Sequence, residues 1–252
     1  MRLLIFINCP DSQRSLLGKV VEPTGTFITN NGEYFILDSS IHGKELPEDL
    51  YAKKSSIIWN KARNFISEIN GAASLSIPSW EPINLTNIKV VQPERETRWL
   101  PITVSVELRN SPQTLTATIQ SSEGVKPKHN SETRPIHPAA NLLLVAQEDE
   151  SVAKLLRLQQ YAMDWTNLYR IYEIIKDDYG KKEIISKKWA MDYEINAFTG
   201  SANNPNVSGD DSRHGIKKGE RPRKTMGITK ARILIAHITR EWLNHKTREK
   251  AT

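Results

Sequence analysis

Arg213 and His214 stand side by side near the end of FTGSANNPNVSGDDSRHGIKK, residues 198–218. Arginine offers a planar, permanently charged fork that fits a phosphate, and histidine exchanges a proton near neutral pH. Together they hold the parts for RNA cleavage without a metal. The imidazole would act as general base or acid at the 2′-hydroxyl or the leaving oxygen, and the guanidinium would stabilise the charge gathering on the phosphate. Lys217, Lys218, Arg221, Arg223 and Lys224 follow within the same stretch. Without chemistry, the same cations make an anion-binding or nucleic-acid-binding edge. Asn203, Asn204 and Asn206 can form local Asx turns, Asp210 and Asp211 add polar groups, and Gly209 and Gly215 permit backbone that other residues resist. A purely structural connection is the third reading. A loop of about 25 residues, Ser201–Thr225, is uncommon inside a compact domain and is usually functional or disordered.

Other chemistries have less footing. Asp177, Asp178, Asp210 and Asp211 form two adjacent pairs, but neighbouring side chains diverge on a helix, and no third ligand stands at a fixed offset. No metal or other cofactor is implied. His129 and His137 lie in a polar segment without nearby carboxylates and read as solvent-exposed. The chain carries no glycine-rich phosphate loop and no Gly-x-Ser-x-Gly motif. The single cysteine, Cys9, beside an apolar run, reads as a small buried side chain and fits a reducing compartment.

Charge separates the chain into two unequal parts. From Lys181 to Thr252 there are 16 Lys and Arg against 8 Asp and Glu, a net of +8, whereas the first 180 residues carry 19 against 21, a net of −2. A cationic excess gathered in one region suits a polyanionic partner, nucleic acid being the usual one. The apolar opening, Leu3–Ile7, is far shorter than the roughly 18–20 residues that cross a bilayer. A cytoplasmic protein without a membrane partner is the expectation.

These residues need elements to hold them. TGTFITNNGEYFILD places β-branched and aromatic runs on both sides of Asn30-Asn31-Gly32, a hairpin signal. PEDLYAKKSSIIWNKARNFISEING has helical spacing through Leu50, Ile57, Ile58, Ala62, Phe65, Ile66 and Ile69, with a stop at Asn70-Gly71. INLTNIKVVQ, LPITVSVELRN and QTLTATIQS read as strands. SSEGVKPKHNSETRPIHP, 121–138, reads as a linker. Beyond it, AANLLLVAQEDESVAKLLRLQQYAM predicts two short helices or one bent one, with Ser151 as a cap. DWTNLYRIYEIIKDDYG is amphipathic, with Trp165, Leu168, Tyr172 and Ile175 on its core stripe, Asp164 as cap and Gly180 as stop, and Asn167, Arg170 and Glu173 elsewhere. A helix over about Lys187–Phe198 and a last one burying Ile228, Ile235, Ile238 and Trp242 complete a four- or five-helix bundle.

The run DWTNLYRIYEIIKDD, Trp189, FTGSANNPNVSGDDSRHG and the final EWL at 241–243 together resemble a group of uncharacterised bacterial proteins, over most of residues 160–245, with INGAASL extending the match loosely into the N-terminal half. That resemblance implies a shared architecture and brings no activity. More distantly, a helical bundle with Arg and His at the entry of its last helix is similar to the HEPN superfamily. The resemblance implies RNA-directed defence or toxin proteins, many of them metal-independent ribonucleases acting as homodimers. That family's motif is an Arg followed a few residues later by a His, whereas Arg213 and His214 are adjacent. RILIAH (Arg232, His237) and REWLNH (Arg240, His245) have such a spacing, but residues five apart on a helix sit about 140° from one another. Arg63-Asn64 repeats the family's Arg-Asn pair with no His after it.

The expected fold is α+β. Residues 1–120 form a β-rich domain with one helix (about 47–70), 121–138 a polar linker, and 139–252 a helical bundle with a basic face. The expected function is that of a cytoplasmic RNA-directed protein of bacterial defence or toxin type, with a ribonuclease at Arg213 and His214 as its enzymatic form. RNA is preferred to DNA as partner. The alternative is a non-catalytic adaptor or sensor subunit that docks a protein through its N-terminal domain.

Overall fold

The computed structural model describes residues 2–30, 35–39, 55–91, 136–213 and 224–250. Leu3–Ile7 becomes the heart of a strand, β1 (Arg2–Asn8), because Ile5 and Ile7 alternate into the core while Leu4 and Phe6 stay partly exposed. A helix the sequence reading passed over follows, α1 (Arg14–Val21), burying Leu17, Val20 and Val21. Its stripe is only two turns long, too short for helical periodicity to stand out. Then come β2 (Thr26–Asn30), β3 (Phe35–Ser39), α2 (Ser55–Ser76) and β4 (Asn84–Val91). The strands pair antiparallel in the order β2-β3-β1-β4, and β4 carries a one-residue register shift against Phe6 and Ile7. Order and connectivity are those of a split βαβ sheet. The register Asn30↔Phe35 fits the hairpin read from Asn-Gly.

α2 does not stop at Asn70-Gly71 but runs on to Ser76. Both residues serve tertiary contacts instead. The buried Asn70 side chain donates to the Ile83 carbonyl (2.9 Å) and accepts from the Ile83 amide (2.9 Å) and Trp80 Nε1 (3.1 Å), clamping the approach to β4. Gly71 lets the backbones of two helices touch: a Cβ there would lie 1.9 Å from the Leu156 carbonyl oxygen.

The rest of the described chain is helical, so helix dominates, with a small antiparallel sheet near the N-terminus. α3 (Pro138–Ala146) and α4 (Glu150–Gln159) are the two short helices expected, broken at the anticipated place. Asp149 rather than Ser151 caps α4, accepting from Ser151 N and Val152 N, since a carboxylate two residues earlier reaches the free amides better. His137, read as solvent-exposed, is half-buried and caps α3 through the Ala139 amide. α5 (Trp165–Tyr179) follows, then α6 (Lys181–Ser186) and α7 (Asp192–Ala202) in place of one helix over Lys187–Phe198. The break between them has a backbone cause. Lys188 takes a left-handed φ of 59°, and the amides of Lys188 and Trp189 return to Ile185 and Ile184, ending α6. After α8 (Pro205–Ser208), α9 (Ile228–Lys250) closes the chain.

α2 packs on α3 and α4, α3 on α1, and α5 on α4 and α9, so one apolar core runs from the sheet into the bundle. Across the α2–α4 seam, Arg157 bonds Glu68 at 2.5 Å, and it also bonds Glu150 of its own helix at 2.6 Å. Burial pushes the Glu68 carboxyl up to about 7, outweighing the Arg157 contact that pulls it down. Among the described residues, no helix is long and apolar enough to cross a membrane. The expected strands at 101–120, the 121–135 part of the linker, Leu50 and His129 lie outside the described residues.

Candidate nucleic-acid interface

α5 and α7 position the described part of the site. Asp164 Oδ1 accepts from the Asn167 amide at 2.7 Å and starts α5 where its cap was expected. Trp165, Leu168, Tyr172 and Ile175 then face the core, and the rings of Trp165, Tyr169 and Tyr172 gather around Phe198 of α7 at 6.2, 6.1 and 5.7 Å. Asn167, expected to project as a polar group, is buried instead. Its amide donates to the Ala162 carbonyl (2.8 Å), because the turn before α5 needs that acceptor satisfied. Arg170 is exposed and Glu173 half-buried. Tyr169 and Glu173, one turn apart, share a side of α5.

The stretch expected to be a loop from Ser201 begins as structure. Ser201 and Ala202 end α7, and Asn204 Oδ1 accepts from the Asn206 amide (3.0 Å) to cap α8, with Pro205 at its first position. Gly209, at φ 64°, turns the chain into a short 3₁₀ turn over Gly209–Asp211. Thr166 Oγ1 donates to the Asp211 carbonyl at 3.0 Å, fastening that turn to α5. Asp210 and Asp211 are exposed, and the Asn203 Oδ1 atom is buried with no hydrogen-bond partner. The Arg213 amide and the Ser212 hydroxyl both return to the Ala202 carbonyl, at 3.0 and 3.3 Å.

Arg213 is already engaged. Its guanidinium carbon lies 4.5 Å from the centre of the Tyr169 ring, and one nitrogen bonds Glu173 Oε1 at 3.0 Å. Both charged side chains keep about a third of their surface in water, 37% for Arg213 and 31% for Glu173. At the far end of the basic stretch, Lys224 Nζ sits 5.9 Å from the Tyr193 ring, and the Met226 amide donates to the fully buried Ser201 hydroxyl at 2.8 Å. Arg213 and Met226 are therefore pinned to the consecutive residues Ala202 and Ser201. Between them stand 12 residues, 214–225, with five Lys or Arg, one Glu and His214. Of the expected site residues, Asn203, Asn204, Asp210, Asp211 and Arg213 lie along the described turns after α7, Arg213 meeting Glu173 and Tyr169 rather than the others; Lys224 stands at the second anchor. His214, Lys217, Lys218, Arg221 and Arg223 lie outside the described residues.

The Arg/His spacings on α9 do not form pairs of their own. Arg232 donates to the Met163 carbonyl (2.8 Å), and His245 bonds Glu249 beside Tyr179 and Trp189. The contact that does form crosses between the two motifs, Arg240 to His237 Nδ1 at 3.1 Å, because three residues apart is a helical neighbour and five is not.

Lys246 bridges Asp149 and Asp178 at 2.8 Å each, with Trp242 Nε1 donating to the second Asp178 oxygen at 2.8 Å. Burial opposes ionisation of Asp149, but the Lys246 bond and the amides of Val152 and Ser151 outweigh it and hold that carboxyl low. Burial likewise opposes the Lys246 charge, and the two aspartates overcome it and hold the ammonium above its ordinary value. This bridge fixes α9 against α5 and the α3–α4 turn. It was not read from sequence, nor was the meeting of Glu173 and Arg213, forty residues apart. The one-turn spacing of Tyr169 and Glu173 is the sequence signal that could have pointed to their shared side of α5.

Compared with protein-family models, curated proteins and solved structures, the chain has no match in any of the three.

Proposed function

We propose that this chain is an RNA-directed protein of bacterial defence or toxin type, and that its helical part grips the phosphate backbone through the basic stretch between Arg213 and Met226. The observation that carries this reading is the anchoring. A run with five Lys or Arg against one Glu has its two ends fastened to Ser201 and Ala202, inside a region with a net charge of +8. Fixing the ends of a segment removes part of the ordering cost that an unanchored cationic tail meets on binding. The interaction would be dominated by counterion release, with little dependence on base sequence. The N-terminal sheet, where Phe27 is 60% exposed on an outer strand, suits a protein partner in the adaptor form of the same reading.

Titration of a fluorescent single-stranded RNA over a salt series tests this. Wild type binds with a log K that falls steeply with log salt, and replacing Lys217, Lys218, Arg221 and Arg223 by Gln flattens the slope by about 0.7 for each phosphate that is no longer neutralised. Equal slopes for the two proteins would rule the stretch out. Cleavage by Arg213 and His214 is the second reading, favoured by the bond that fixes the Arg213 amide just before His214. It requires RNA to be cut in the presence of EDTA, and His214→Ala to abolish cutting while leaving affinity unchanged. Intact RNA after incubation with wild type leaves the binding form alone.

A further inference from the structure

Arg213, at the first anchor of the stretch, is a described guanidinium of the type that clamps phosphate, and a carboxylate occupies it. Glu173 meets the guanidinium through a single nitrogen at 3.0 Å, so the fork is not filled by a bidentate pair. Both heads are partly in water, where an ion pair of this kind contributes little and exchanges readily. The Tyr169 ring, itself buried against Phe198 and Tyr172, supports the guanidinium at 4.5 Å independently of Glu173. Removing the carboxylate would leave the fork held on the ring with its donors free.

We propose that Glu173 is a built-in competitor for RNA: it holds Arg213 on Tyr169 in the unbound chain, and a backbone phosphate takes its place when RNA binds. No bond is made or broken covalently; one anion replaces another on the same donors. Phosphodiester and carboxylate are both oxyanions that accept from a guanidinium, and the phosphate arrives with a polyanion that also meets the neighbouring lysines and arginines. The displaced Glu173 has water on its open side to receive it. The exchange weakens the affinity of the unbound form by the worth of the pair and keeps Arg213 ordered for its partner. This inference rests on the RNA-binding reading above.

The test compares wild type, Glu173→Gln, Asp177→Asn, Arg213→Ala and the Glu173→Gln/Arg213→Ala double variant on the same single-stranded RNA at low salt, with thermal melts to verify folding. Asp177 lies on the same helix, largely in water and 3.4 Å from Lys176, so Asp177→Asn reports the general effect of deleting one negative charge and releasing one exposed ion pair away from Arg213. Glu173→Gln binds about two- to fivefold more tightly than Asp177→Asn, as expected for release of a partly exposed ion pair. The gain vanishes when Arg213→Ala is present. Should Glu173→Gln not fold, Glu173→Asp withdraws the carboxylate by one methylene and moves affinity the same way by less. RNA binding by wild type with no gain in Glu173→Gln over Asp177→Asn, or a gain that survives Arg213→Ala, overturns the exchange and leaves the RNA reading standing. Failure of every protein in the set to bind overturns both.

Discussion

Replacing Gly71 by alanine is the sharpest perturbation the fold offers, because two effects of opposite sign meet at one atom. In an exposed helix the change stabilises by about 1 kcal/mol, since glycine is the poorer helix former. Here the added Cβ would stand 1.9 Å from the Leu156 oxygen, 2.7 Å from its carbonyl carbon and 3.0 Å from its Cα. Ordinary contact begins at 3.4 Å, so α2 and α4 must part by about 1.5 Å at that point. The obstacle is main chain inside a helix, and it cannot swing aside as a long side chain would. Parting the helices loosens the packing of α2 on α4, to which both contribute buried core residues, and gaps of that size forfeit a large share of dispersion contacts. Overpacking of this kind costs about 3 kcal/mol, leaving Gly71→Ala about 2 kcal/mol less stable. With an m-value of about 2 kcal/mol/M, the urea midpoint read by circular dichroism falls by roughly 1 M. Asn64→Ala, exposed on the same helix, serves as control and leaves the midpoint level or slightly higher. A Gly71→Ala midpoint equal to or above wild type would mean that the helices do not approach this closely.

Two further outcomes concern stability. Glu68 titrates near 7 in the folded chain against an ordinary 4.5, so between those values the folded state holds more protons than the unfolded one, and this group makes stability fall as pH rises. Glu68→Gln therefore gains on wild type by up to about 3 kcal/mol between pH 5 and pH 8 in denaturant titrations, and a constant difference across that range contradicts the burial argument. Lys188→Gly relieves a left-handed residue at the end of α6 and raises stability by about 0.5–1 kcal/mol, or about 1–4 °C in a thermal melt. A lower melting temperature would show that the Lys188 side chain contributes more than its backbone costs.

Local signals carried the reading where local chemistry decided the outcome. The Asp164 cap, the Gly180 stop and the Trp165–Ile175 stripe of α5 are all as expected, since each depends on neighbours within a few turns. Asn70-Gly71 shows the limit. The pair has the composition of a helix stop, yet long-range contacts to Ile83 and Leu156 use the same amide group and the same missing side chain to carry α2 onward. The site divides in the same way. Asn204 as a local turn former was legible; the engagement of Arg213 by Tyr169 and Glu173 was not, because no spacing links residue 213 to α5.

Fastening Arg213 and Met226 to adjacent residues also separates two kinds of evolutionary constraint. α9 is held at its start by the Met226 bond to Ser201 and along its length by Lys246 and Trp242, so residues can be gained, dropped or exchanged between the two anchors without shifting the final helix in its seat. Closure theory makes such changes inexpensive: doubling the length of the tethered run adds only about 0.6 kcal/mol. Descendants of this chain are thus free to vary the length and charge of the run while the scaffold beneath it stays as it is.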